Sequence, residues 1–266
     1  SFENSIAKFS EMMNAKAKEL GCLDTNFVNP NGIHNENHYS TAYDLSLIGK
    51  YAYSNSIIKN IASKSVYNLP ENSVNNYTKY TTTNNLLKSN SKYYYEYANG
   101  FKTGYTDSAG HCIIATAKKD DMNLIVVILN GTYLEDGTPT RENDCIKLFS
   151  YGFENYTSTK LIEGGDVART IDVVNATSES KTLDLVCTNT LDCIVETDEV
   201  IDATPVINLN NVLAPISKGE VVGTITYTID DIKYSSDLIA SHDVYTSSVM
   251  NSILLLGIIF IILLLL

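Results

Sequence analysis

Residues 100–110 read GFKTGYTDSAG, and residues 111–118 continue as HCIIATAK. A short strand-like run, Phe101–Tyr105, is closed by a turn over Asp107–Gly110 and answered by an apolar run, Cys112–Ala117. A third run, Leu124–Leu129, follows after a second turn at Lys119–Asn123. Short β-rich runs divided by Gly, Asn and Asp predict an antiparallel meander. Successive side chains on a strand alternate faces, so Lys102 and Gly104 share one face and Thr103 takes the other. A glycine there lets a ligand or another backbone approach closely. A lysine and a hydroxyl beside it favour an anion, above all a carboxylate. Taken alone, the triplet also fits a solvated hairpin edge.

Upstream, residues 2–20 place Ile6, Phe9, Met13, Ala17 and Leu20 at helical spacing, with Lys and Glu opposite. Gly21 suits the C-terminal stop of that helix. Residues 25–39 are turn-rich around Asn29-Pro30-Asn31-Gly32. A second helix is predicted from Ser40-Thr41, where Asp44 three residues on resembles a capping box, and Leu45, Ile48 and Ala52 line one face. Residues 66–99 are rich in Asn, Thr and Tyr and carry no clear period. Residues 140–151 predict a helix packed on the meander.

Past residue 156 the texture changes to short alternating runs such as VVGTITYTI at 221–229, which predict a small all-β module. Three regions are expected: an α+β domain over 1–156, a β-rich domain over 157–246 and a terminal segment over 247–266. The last 14 residues, Ile253–Leu266, carry no polar side chain. A bilayer span needs roughly 20. The tail is therefore expected to be an incomplete membrane anchor, and the chain, which opens on Ser rather than Met, a fragment of a longer protein.

The formal net charge of −12 leaves no basic stripe for a nucleic-acid partner. Five scattered cysteines form no zinc-spaced cluster. Cys187 and Cys193 are read as two small buried residues, with a facing pair across a hairpin as the alternative. None of His34, His38, His111 and His242 sits at ligand spacing, and His111 reads as a hairpin-surface histidine within reach of the cleft edge. The Tyr93-Tyr94-Tyr95 run is read as packing beneath a loop.

Several segments match one family together. FVNPNGIHNENHYSTAYDLSLIGKYA at 27–52, GFKTGYTDSAG at 100–110 and MNAKAKELG at 13–21 closely resemble the serine D-alanyl-D-alanine carboxypeptidases, the low-molecular-mass penicillin-binding proteins. APISKGEVVGTITYTI at 214–229 looks like their β-rich C-terminal domain. The resemblance implies an α+β penicillin-binding/β-lactamase-like domain, here truncated, then the β domain and a membrane anchor. It implies removal of the terminal D-Ala from peptidoglycan stem peptides through an acyl-enzyme, on the extracytoplasmic face of the membrane. β-Lactams would inhibit the complete enzyme, and no metal or organic cofactor is implied.

By the same resemblance Lys102 supplies positive charge, and Thr103 hydrogen-bonds the substrate's terminal carboxylate beside Gly104. The N–H of Tyr105 forms half of an oxyanion hole, and Arg141 lies near the carboxylate. The family's S-x-x-K and S-x-N motifs are expected upstream of the region MNAKAKELG matches. Ser5–Lys8, Ser56–Lys59, Ser89–Lys92 and Ser178–Lys181 fit S-x-x-K, and Ser73–Asn75 fits S-x-N, but these are read as chance matches. A β-lactamase-related hydrolase or a non-catalytic cell-surface binding protein are the alternatives.

Overall fold

The computed structural model describes residues 2–70, 79–210 and 212–247. The apolar tail and Ser73–Asn75, on which two expectations fall, lie outside the described residues. Among the described residues no helix is long and apolar enough to cross a membrane. The chain divides into two compact units, Ser1–Asn155 and Tyr156–Leu266.

The first unit is built on a three-stranded antiparallel sheet of β3 (Ala98–Thr106), β4 (Gly110–Lys119) and β5 (Met122–Gly131). The register sets Lys102 opposite Ile114, Gly104 opposite Cys112 and Tyr105 opposite His111. Alternation along β4 and β5 then assigns the two faces. Ile113, Ala115, Ala117 and Val126 point to α4 (Arg141–Asn155), where Cys145 and Phe149 are fully buried against them. Removing the Phe149 ring would cost about 3–5 kcal/mol. On the other face Ile114 and Ile125 meet α2 (Ala42–Ser54) at Gly49, where an added Cβ would sit 3.0 Å from Ile114 Cγ2.

Local chemistry explains the helix ends. α1 (Phe2–Glu19) places Lys16 and Lys18 in its last turn, as the helix dipole favours. It closes with Gly21 N–H on Lys18 O and Cys22 N–H on Ala17 O, both at 3.0 Å. That paired motif needs a left-handed residue, and Gly21 has φ +90°. Thr41 caps α2 by accepting from Asp44 N–H at 3.1 Å. The other half of the expected capping box is replaced: Asp44 Oδ2 accepts instead from Asp24 N–H at 2.9 Å and from the Thr25 hydroxyl at 2.6 Å. α2 is thereby tied to the preceding loop.

Residues 66–99 contain a small ladder, β1 (Val66–Asn68) with β2 (Lys79–Thr81), and a 3-10 turn at Asn85–Leu87. α3 (Ser56–Ala62) precedes them, capped by the Asn55 side chain. Tyr95 stacks on Phe149 at 5.7 Å, as the packing reading of the tyrosine run expects, while Tyr94 remains half exposed.

The second unit is all-β. A five-stranded antiparallel sheet runs in the order β10 (Val206–Leu209), β11 (Val221–Ile229), β12 (Ile232–Ala240), β8 (Thr182–Cys187) and β7 (Val167–Asp172). β6 (Tyr156–Ile162) pairs with β9 (Leu191–Glu196). Leu183, Leu185, Ile225, Leu238 and Val244 form its core. Cys187 and Cys193 are buried free thiols. They belong to strands of different sheets, so they do not face one another across a hairpin pair.

Candidate functional site

The free edge of β3 borders a cleft of about 790 Å³. Lys102, Thr103, Gly104, Tyr105 and Arg141 all line it. A turn after β3 brings β4 back beside it, and the N-terminus of α4 delivers Arg141 to the same strand edge. Opposite stand the Asn29–Gly32 loop, Phe27 and His38.

Lys102 is exposed, and its ammonium donates to the Thr103 carbonyl of its own strand. It also borders a second groove, with Tyr67, Tyr80 and Phe101. Thr103 is buried, and its hydroxyl hydrogen-bonds that of Thr83. Thr83 is held in turn by its neighbour. Asn84 is fully buried, donates to Gly100 O at 3.0 Å and accepts from Leu86 N–H at 3.0 Å. Arg141 is 9% exposed; its Nη1 reaches Gly104 O at 3.4 Å and its Nε donates to Glu142 Oε1 at 3.0 Å.

The Tyr105 hydroxyl donates to Asp107 at 2.9 Å, and that carboxylate pushes the phenol up to about 12. The phenol therefore stays neutral through the physiological range. His111 packs on Tyr105 with ring centroids 4.5 Å apart, and its Nε2 lies 2.6 Å from the Tyr133 hydroxyl. Its Nδ1 is buried without a partner among the described residues. The residue read from sequence as a hairpin-surface histidine is thus part of the cleft wall; pairing with Tyr105 in the β3–β4 register puts it there. His38 packs edge-on to Phe27, and burial lowers its imidazole pKa.

Asn14 fixes the loop that closes the cleft. Its Oδ1 accepts from Phe27 N–H at 2.7 Å and its Nδ2 donates to Phe27 O at 2.9 Å. Sequence reasoning placed Asn14 within a matching segment without giving it a role. Thr83, Asn84 and Glu142 carry no signal in the sequence, because only the tertiary fold brings the first two to β3 and sets Glu142 against Asn85. None of Ser5, Ser56, Ser89 and Ser178 lines the cleft. Among the described residues no His, Cys, Asp and Glu group is arranged to hold a metal ion.

The arrangement is chemically suited to an anion. A cation, a buried hydroxyl and a guanidinium converge on an exposed glycine edge, where charge-assisted hydrogen bonds to an anion are strong. The guanidinium offers a planar fork matched to a carboxylate.

Known proteins resemble both units of the chain. The family profile for D-alanyl-D-alanine carboxypeptidase matches residues 3–132, and that for the penicillin-binding protein 5 C-terminal domain matches residues 156–246. The D-alanyl-D-alanine carboxypeptidase DacF of Bacillus subtilis is 30% identical over 90% of this chain and 59% of its own length. DacA of Haemophilus influenzae is 28% identical over 85% of this chain and 54% of its own. The chain thus spans little more than half the length of these curated relatives. The crystal structure of penicillin binding protein 5 from H. influenzae superposes with a TM-score of 0.62 at 27% identity, covering 90% of this chain and 66% of that one. A peptidoglycan synthesis regulatory factor, PBP3, of Streptococcus pneumoniae shares the fold, with a TM-score of 0.75 at 22% identity over 91% of this chain and 71% of its own. From the strand edge, the β module and these likenesses together, the chain belongs to the D-alanyl-D-alanine carboxypeptidase family of low-molecular-mass penicillin-binding proteins.

Proposed function

We propose that this chain carries the carboxylate-recognition wall of a serine-type D-Ala-D-Ala carboxypeptidase, which removes the terminal D-Ala from peptidoglycan stem peptides. One observation carries the reading: Lys102, Thr103 and Arg141 border a single cleft at the exposed Gly104 edge. In that reading the leaving residue's free carboxylate takes hydrogen bonds from Thr103 and Arg141 in the field of Lys102. The scissile carbonyl then lies under the Tyr105 N–H, where one oxyanion donor is worth roughly 3–4 kcal/mol of barrier. The attacking serine's hydroxyl proton passes to a base as its oxygen bonds to the carbonyl carbon. D-Ala leaves with a proton, and water releases the acyl group.

The family's S-x-x-K serine is the expected nucleophile, and none of the four matching serines borders this cleft. The chain by itself is therefore expected to bind such peptides and neither hydrolyse them nor be acylated. β-Lactams are the expected inhibitors of the complete enzyme. Residues 1–156 are read as catalytic-domain sequence, 157–246 as the β domain and 247–266 as an anchor holding both at the outer face of the membrane.

The test has two arms. A synthetic acyl-D-Ala-D-Ala peptide should bind at least tenfold more tightly than its C-terminal carboxamide in an NMR titration, the scale of one charge-assisted hydrogen bond. Arg141→Ala should abolish that preference. A fluorescent penicillin should leave no covalent label. Equal binding of acid and amide would sink the carboxylate reading. Covalent labelling would show that a nucleophile lies within this chain.

A further inference from the structure

Glu142 is the residue of this region that the carboxylate reading does not use. It is 1% exposed, and its Oε2 has no hydrogen-bond partner among the described residues. A buried carboxylate is costly unless paired and hydrogen-bonded. Its Oε1 accepts from two sides: from Arg141 Nε at 3.0 Å and from Asn85 Nδ2 at 3.1 Å. Asn85 is itself fixed, its Oδ1 accepting from Lys88 Nζ at 3.0 Å.

This chain of contacts ends at the cleft. An arginine carries five N–H donors in a rigid fork on a flexible stem. Here Nε is held by Glu142 and one Nη1 hydrogen by Gly104 O, 3.4 Å away on the strand edge. Those two contacts restrain the guanidinium. Among the described residues no other hydrogen-bond acceptor takes the remaining donors, which belong to a side chain lining the cleft. An arginine fixed beforehand loses less entropy on binding an anion than a free one.

We propose that Glu142, braced by Asn85, is a positioning residue that orients the Arg141 guanidinium toward the terminal carboxylate of the bound peptide. The role rests on the carboxylate reading of the cleft. It differs from that of a first-turn acid that merely complements the α4 dipole, because it acts through Arg141 and through the ligand's charge.

The experiment measures binding of the acyl-D-Ala-D-Ala peptide and of its carboxamide to the full chain and its variants. Glu142→Gln keeps the shape and removes the charge; it should cut the acid-over-amide preference about tenfold while leaving amide binding unchanged. Asn85→Ala, at a less buried site, should cut it by a smaller factor, and serves if Glu142→Gln does not fold. In an Arg141→Lys background Glu142→Gln should produce no further loss. An unchanged acid preference in Asn85→Ala and in a folded Glu142→Gln overturns the positioning role alone. So does a Glu142→Gln effect that persists without Arg141. A wild-type chain that binds acid and amide equally overturns the carboxylate reading, and the positioning role with it.

Discussion

Asn14, on α1, grips both backbone polar groups of Phe27, accepting from its N–H at 2.7 Å and donating to its carbonyl at 2.9 Å. One side-chain amide thus replaces a strand partner for the residue that opens the cleft-lining loop. Asn14→Ala leaves both groups unpaired in a half-buried setting. It should cost about 2 kcal/mol, two net hydrogen bonds, in urea unfolding. It should also weaken acyl-D-Ala-D-Ala binding, since Phe27 and Asn29 wall the cleft. An unchanged unfolding midpoint would show that the clamp carries no energy.

Asp44 makes stability depend on acid. Its carboxyl lies below its ordinary value of 3.8, first because the Thr25 hydroxyl donates to it and next because Asp24 N–H does. A carboxyl whose folded value is depressed binds its proton more readily unfolded. Its stabilisation is therefore complete above the unfolded value, near pH 4, and fades as pH falls through the lower folded value. Asp44→Asn should lower stability at pH 7 and flatten the part of the acid limb below about pH 4. Denaturant unfolding at pH 7, 4 and 3 tests this; parallel pH curves for the two proteins would remove Asp44 from the account.

The contrast between these residues explains what was readable before the fold was known. The α1 stop at Gly21, the Thr41 cap and the three-strand meander are local patterns, and each appears where the residues predict it. The ladder of Val66–Asn68 with Lys79–Thr81 was not legible, because all six residues are exposed and an unburied strand shows no alternation of apolar and polar. The site was legible only in part for a related reason. Lys102, Thr103 and Gly104 are contiguous, whereas Glu142 reaches Asn85 across 57 positions and His111 enters the cleft through strand register. Half of the capping box at Asp44 was misread because a loop 20 residues upstream competes for its carboxylate.

The cysteines offer a test of packing by chemistry. Cys145 is fully buried beneath the sheet, and that desolvation, aided by the charge of Glu142, pushes its thiol up to about 12. The thiolate that reacts with alkylating reagents is therefore scarce in the folded chain at pH 8. Cys112 is only half buried on β4. Iodoacetamide followed by peptide mass mapping should modify Cys112 in the native chain and Cys145 only after unfolding. Labelling of both at one rate would place Cys145 outside the core.

Gly104 separates binding from folding. A Cβ built on it meets nothing nearer than Cys112 Cβ, at 3.9 Å, which is ordinary contact, and the backbone there does not require glycine. Gly104→Ala should therefore leave unfolding within about 0.5 kcal/mol of the wild type. Gly104 is exposed and lines the cleft; in the proposed reading the peptide backbone approaches there, so affinity for the acyl-D-Ala-D-Ala peptide should fall tenfold or more, roughly the effect of a misplaced methylene. Gly131→Ala is the counter-case, because its Cβ would lie 2.8 Å from the His111 carbonyl oxygen, a backbone atom that cannot swing aside. That variant should lose about 1–3 kcal/mol of stability. If Gly104→Ala binds the peptide as the wild type does, the ligand does not lie against the β3 edge.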